Sequence, residues 1–190
     1  MMTDKVLEAL ELLDKNIVKC TRCDLYVNGS AKPYWTPLYS NIAIVGEAPG
    51  KNEVDENTPF CGKAGKILMD IISELDLSRE NFLILNSVNC RPMLDGKNGK
   101  PKPNQMAACK FWIEKYFRVL KPHKVLLLGG YAAASLLNVD NCDIIRNNGS
   151  ITVRDGITYV RTVHPAYTIY DSSGRGLKLL KEGMTIFSKL

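Results

Sequence analysis

Residues 41–65 read NIAIVGEAPGKNEVDENTPFCGKAG, an apolar run that breaks into a loop of glycine, proline and carboxylates. Ile42, Ala43, Ile44 and Val45 make a short continuous apolar stretch, the pattern of a strand buried on both faces of a parallel sheet, and Gly46 stops it. Gly46, Pro49 and Gly50 then predict a tight loop in which little side-chain bulk keeps a ligand off the backbone. Helical spacing resumes from Lys63, with Ile67, Leu68, Ile71, Ile72 and Leu75 on one stripe. A strand, a glycine-rich loop and a helix in this order form the carboxyl edge of an open α/β sheet, where ligands bind.

The flanking sequence extends the pattern. Val6, Leu10, Leu13 and Ile17 predict a first amphipathic helix, capped by Thr3 or Asp4. A second buried strand is expected at Phe82 to Leu85 and a third at Lys124 to Leu128. Between them, MLDGKNGKPKP reads as a loop, followed by a helix that Asn104 could cap. Gly129-Gly130 leads into an alanine-rich helix, and two β-rich runs flank Asp155-Gly156, a dipeptide that tight hairpins prefer. A last amphipathic helix covers Leu177 to Phe187. Alternating strands and helices predict a mostly parallel sheet covered on both sides, with one antiparallel hairpin near the end.

The chain has 190 residues, 45% of them hydrophobic, with no Gly/Ser-rich or Pro-rich linker, which predicts one domain over 1–190. A net charge of +5 suits a polyanionic partner without requiring one. The opening MMTDKVLEALELLDKN interrupts its apolar positions with acids, so neither a signal peptide nor a membrane span is expected, and the protein reads as soluble and cytoplasmic. Six cysteines in such a chain argue for metal binding, reactivity or burial rather than disulfides.

Cys20 and Cys23 form a C-x-x-C pair, while Cys90 and Cys109 fall beside a strand end and on a helix. A redox pair is one reading; a metal centre of four thiolates, zinc or iron-sulfur, is another; and Cys109 alone could be a small buried residue. Cys61 and Cys142 remain as free thiols. His164 closes the last strand before Pro165, either as a donor aimed at negative charge on a ligand or as a structural histidine; His123 has no such setting. Asp55 and Glu56 read as solvated loop acids. Lys97, Lys100 and Lys102 could touch phosphate or keep a loop soluble, and Tyr34, Trp35 and Tyr39 could stack on bases or pack on the domain.

Taken together, C-x-x-C, GEAPG, PF-C-GKAG, N-S-V-N-CRP and HPAY, in that order from about Cys20 to Tyr167, resemble the iron-sulfur, family 4 uracil-DNA glycosylases. The resemblance implies the three-layer α/β/α uracil-glycosylase fold with a central four-stranded parallel sheet. It implies a [4Fe-4S] cluster on Cys20, Cys23, Cys90 and Cys109, and uracil-containing DNA as the partner of a monomeric, nucleoid-associated repair enzyme. It implies that Phe60 stacks on the flipped uracil and Asn86 reads its edge. Glu53 would crowd the position of a thymine methyl group, His164 would stabilise the departing base, and Glu47 marks the first motif as a catalytic position. Other uracil glycosylases carry a water-activating aspartate where this chain has Ala48.

Several positions depart from that pattern. Val54 stands where an aspartate is usual, Asn57 where glycine is, Cys61 where valine is common, and Tyr170 where an arginine follows HPAY. The approach to the first strand, residues 28–40, lacks the usual glycines. These departures motivate an alternative, a catalytically weak DNA-binding accessory protein on the same fold. A covalent base-capturing variant is disfavoured because no inserted basic loop carries an extra histidine.

Overall fold

A computed structural model describes residues 4–28, 40–140 and 143–190. The expected cap at Thr3, the aromatics Tyr34, Trp35 and Tyr39, and the thiol of Cys142 lie outside the described residues. In chain order the elements are α1 (Asp4–Ile17), β1 (Ile42–Gly46), α2 (Lys51–Asp55), α3 (Lys63–Glu74), β2 (Leu83–Asn86), β3 (Met93–Leu94), β4 (Lys97–Asn98) and α4 (Pro103–Leu120). There follow β5 (Lys124–Leu128), α5 (Gly130–Leu137), β6 (Ile151–Arg154), β7 (Ile157–Thr162), α6 (Pro165–Tyr170) and α7 (Arg175–Ser188).

The main sheet runs β2-β1-β5-β7-β6. Its first four strands are parallel and β6 is an antiparallel edge strand. Alternate strand residues supply two cores. Ala43, Val45, Leu83, Leu85, Val125 and Leu127 pack beneath α1, α4 and α5, while Ile44, Ile84, Leu126, Leu128 and Val160 pack beneath α3 and α7. The sheet is therefore buried on both faces, which explains why its strands read as continuous apolar runs. No described helix is long and apolar enough to cross a membrane.

The hairpin turn at Asp155-Gly156 is present, with both residues at positive φ. Asp95 and Gly96 form a second such turn between β3 and β4, where the sequence suggested only a loop. Asn104 does not cap α4. Pro103 takes the first helical position and Gln105 reaches back to accept the Lys102 N–H at 2.8 Å. The HPAY stretch, read as the end of a strand, instead opens α6 with His164 as its cap.

Candidate active site

Two parallel strands that end together bring the first residues to the site. Gly46, the last residue of β1, pairs in register with Asn86, the last of β2. Ser87, fully buried, donates both its amide and its hydroxyl to the Gly46 carbonyl at 2.9 Å, tying the two strand ends together. A Cβ on Gly46 would lie 2.5 Å from Asn86 Oδ1 and 2.7 Å from a Phe60 ring carbon, so only glycine lets the amide and the ring approach over this point. Among the described residues the Asn86 side chain has no hydrogen-bond partner, which leaves its donor and acceptor for a ligand.

Phe60 is held in an unusual backbone state, φ 53°, with only 8% of its surface exposed. Gly65 makes this possible, because a Cβ there would lie 2.0 Å from the Phe60 carbonyl oxygen. Asn57, in place of the usual glycine, also has positive φ, 50°, a conformation asparagine tolerates better than most residues. The Phe60 ring faces His164 across 6.3 Å between centroids.

Glu53 joins the two ends of its loop. Its Oε2 accepts the Gly50 N–H and its Oε1 the Gly62 N–H, each at 3.1 Å, so the carboxylate spans the N-termini of α2 and α3. Both oxygens are thus occupied by backbone amides. Of the loop residues after Gly46, Pro49 has no amide hydrogen and that of Gly50 is taken by Glu53.

His164 accepts the Ala166 amide on Nδ1 at 3.1 Å, which puts the proton of the neutral ring on Nε2. Burial, with a smaller contribution from Lys100, pushes its pKa down to about 4. Glu47 is pushed the other way: burial raises its carboxyl pKa, against the opposing charge and hydrogen bonds of Lys100, whose ammonium lies 3.1 Å and 3.3 Å from the two oxygens. Glu47, Glu53, Phe60, Asn86 and His164 line one cleft of about 350 Å³, together with Asn98, Lys100 and Tyr170.

The four cysteines surround a different cavity. Cys20, Cys23, Cys90 and Cys109 line one small cavity of about 10 Å³, walled also by Ile17, Leu25, Val88 and Trp112. The Trp112 indole donates to Cys20 Sγ at 3.2 Å, and Asn89 donates its backbone and side-chain N–H groups to Cys109 Sγ at 3.3 Å each. Burial, then the neighbouring thiols, lifts Cys90 to about 12; burial is also the main cause raising Cys109 to about 11. Among the described residues no three such donors converge closely enough to hold a single metal ion.

The cleft residues, with Cys90 and Cys109, lie within residues 33–185, the stretch that matches the family model of the uracil DNA glycosylase superfamily, while Cys20 and Cys23 precede it. The chain belongs to that superfamily. Similar curated proteins are named type-4 uracil-DNA glycosylase. One from Saccharolobus solfataricus is 32% identical, the match covering 93% of this chain and 83% of the relative. Another, from Sulfurisphaera tokodaii, is 31% identical over 93% and 82%. A third, from Thermotoga maritima, is 29% identical over 92% and 91%.

Within this superfamily chain, the six residues expected in the pocket, Glu47, Ala48, Glu53, Phe60, Asn86 and His164, all line the cleft. Asn98, Gly99 and Lys100 line it as well, carried there by the unforeseen β3–β4 hairpin. The Asp95-Gly96 pair was the sequence signal for that hairpin. Cys61 does not line the cleft; burial and then the negative charges of Glu53 and Glu56 raise its thiol pKa. Tyr170 is at the rim with 86% of its surface exposed, while Asp55 and Glu56 are exposed and outside the lining.

Proposed function

We propose that this chain is a uracil-DNA glycosylase that hydrolyses the N-glycosidic bond of a flipped deoxyuridine and leaves an abasic site. The observation that carries the reading is the convergence in one cleft of a buried aromatic face, an unpartnered amide, a neutral imidazole and a desolvated carboxylate. The reaction class suits these groups, because a base in duplex DNA must leave the stack to be reached, and then needs a face to stack on and an edge reader.

In this reading Phe60 carries the uracil ring and Asn86 pairs with its edge, accepting from N3–H and donating to O4. Cytosine presents the inverse pair of groups, and a buried polar edge left unpaired is costly. Glu53 acts on the methyl position indirectly: by joining Gly50 to Gly62 it holds the wall that a thymine methyl group would meet.

As the bond from C1′ to N1 lengthens, the sugar gains positive charge and the base gains negative charge on N1 and O2. His164 Nε2–H and the Ala48 amide are donors for that anion. The Glu47 carboxylate stabilises the sugar cation and orients the water that adds to C1′. The water's oxygen completes the sugar hydroxyl, its proton leaves to solvent, and uracil departs with the electron pair of the broken bond.

Cys20, Cys23, Cys90 and Cys109 would hold a [4Fe-4S] cluster. The donor set fits: four thiols facing one cavity, two of them receiving N–H groups of the kind that steady thiolate ligands, with an apolar wall. When bound, the cluster supplies a cross-link among α4, the C-x-x-C segment and the loop after β2. Asn86, the last residue of β2, lies four residues before Cys90, so the ligand set and the base reader share one short stretch of backbone.

We place the protein as a single-domain monomer acting on nucleoid DNA. The accessory-protein alternative rests on Val54, which does not line the cleft, and on Tyr170, which stands at its rim. Incubation with uracil-containing single-stranded and duplex oligonucleotides, followed by alkali, tests the reading. Strand breaks at uracil positions support it, and intact strands at enzyme excess with tight DNA binding favour the accessory protein.

A further inference from the structure

The excision chemistry above leaves Lys100 without a role, yet its head group is the most heavily engaged cation of the cleft. Its Nζ lies 3.1 Å and 3.3 Å from the two oxygens of Glu47 and 5.5 Å from the centre of the Tyr131 ring. These partners come from separate elements, since Glu47 follows β1 and Tyr131 is in the first turn of α5. A lysine kept only for solubility has no reason to converge on both. The pair is also asymmetric: the Lys100 side chain is 69% exposed and that of Glu47 only 15%. Pairs with so exposed a member add little to stability, so the contact calls for another use.

We infer that Lys100 is a positioning residue of the cleft, engaging both oxygens of Glu47 and fixing the orientation of that carboxylate towards the bound nucleotide. The inference rests on the glycosylase reading of the cleft. A glutamate has three side-chain torsions, and a carboxylate that wanders from the reacting atoms loses rate steeply. Lys100 restricts those torsions from a position two residues beyond β4, in a hairpin whose two-residue turn sets its register. The charge also opposes the effect of burial on Glu47. The other charged or titratable groups lining the cleft are Glu53, already bound to two amides, His164 and Tyr170.

The competing use of Lys100 is a phosphate contact, and the two leave different marks. Lys100→Met keeps an unbranched side chain and removes the charge; Lys100→Arg keeps the charge. If Lys100 positions Glu47, Lys100→Met lowers the single-turnover excision rate at saturating enzyme by about tenfold to a hundredfold. The half-saturating concentration and its salt dependence stay as in the wild type, and Lys100→Arg restores most of the rate. In a Glu47→Gln background the same Lys100→Met change has no further effect.

A wild-type rate with weakened binding and a salt slope reduced by about one would overturn the inference in favour of a phosphate contact. No change in either quantity would overturn it in favour of a solvated lysine. Should the wild type itself release no uracil, the glycosylase reading fails independently. The Lys100–Glu47 coupling is then read by carboxyl NMR titration of Glu47, whose pKa rises in Lys100→Met if the contact exists and stays unchanged if it does not.

Discussion

His164 Nδ1 accepts the amide hydrogen of Ala166 at 3.1 Å, within the first turn of the helix that His164 itself caps. One local contact therefore selects the tautomer that leaves Nε2–H as the donor for a departing base. His164→Ala is expected to lower single-turnover uracil excision by about a hundredfold or more, the cost of losing one anion-stabilising donor. A rate within a few-fold of wild type, with binding intact, would remove His164 from the mechanism.

The ring should also resist protonation. Burial holds the His164 pKa down to about 4, whereas the unfolded chain titrates near 6.5. Between those values the unfolded state takes up a proton that the folded state does not, so this site costs stability as pH falls from 6.5 through about 4 and contributes nothing above 6.5. The chain has two histidines, and the ring signal lost in His164→Ala identifies the relevant one. That signal should stay flat through pH 6.5 and move only near 4; an inflection near 6.5 would show a charged, solvated ring.

Gly46 gives a test of the pocket floor. An added methyl group would lie 2.5 Å from Asn86 Oδ1 and 2.7 Å from the Phe60 ring, two groups that cannot both retreat without closing the uracil site. Gly46→Ala should therefore abolish measurable excision while the far-ultraviolet circular dichroism of the α/β fold persists. Normal excision would mean that Phe60 and Asn86 do not define the pocket.

Asn86→Asp replaces the amide donor with a second acceptor. Uracil excision is expected to fall, since the O4 partner is lost and an acceptor meets an acceptor. Relative selectivity against cytosine should fall with it. An unchanged ratio of uracil to cytosine excision would exclude Asn86 as the edge reader.

The purified protein should be brown, contain four irons per chain and lose its visible absorption when Cys90→Ser is introduced. Because Cys90 follows Asn86, the end of β2, by only four residues, loss of the metal should also raise hydrogen exchange across residues 86–90. A colourless protein with one zinc would contradict the cluster assignment.

Much of the site was legible because it is built from strand ends. Apolar runs placed Gly46 and Asn86 at the ends of buried parallel strands, and a parallel register then made them neighbours. The long-range ion pair was not legible. Lys100 and Glu47 are 53 residues apart, and a lysine in a Gly, Lys and Pro segment looks the same whether it meets solvent or a carboxylate. The β3–β4 hairpin escaped because its two-residue arms lack the alternating apolar pattern that makes Asp-Gly persuasive. Glu53 was expected in the pocket and lines the cleft, but the use of both its oxygens by Gly50 and Gly62 depends on α2 and α3 starting side by side, a tertiary fact.

The central claim is that the cleft of Glu47, Phe60, Asn86 and His164 breaks a glycosidic bond. Direct detection of free uracil from a single-uracil oligonucleotide, under single-turnover conditions with wild-type protein beside His164→Ala, tests it. The expected result is stoichiometric release of uracil by the wild type, greatly slowed in the variant, with an abasic site left in an unbroken strand. No free uracil at enzyme excess, despite saturated DNA binding, would contradict it.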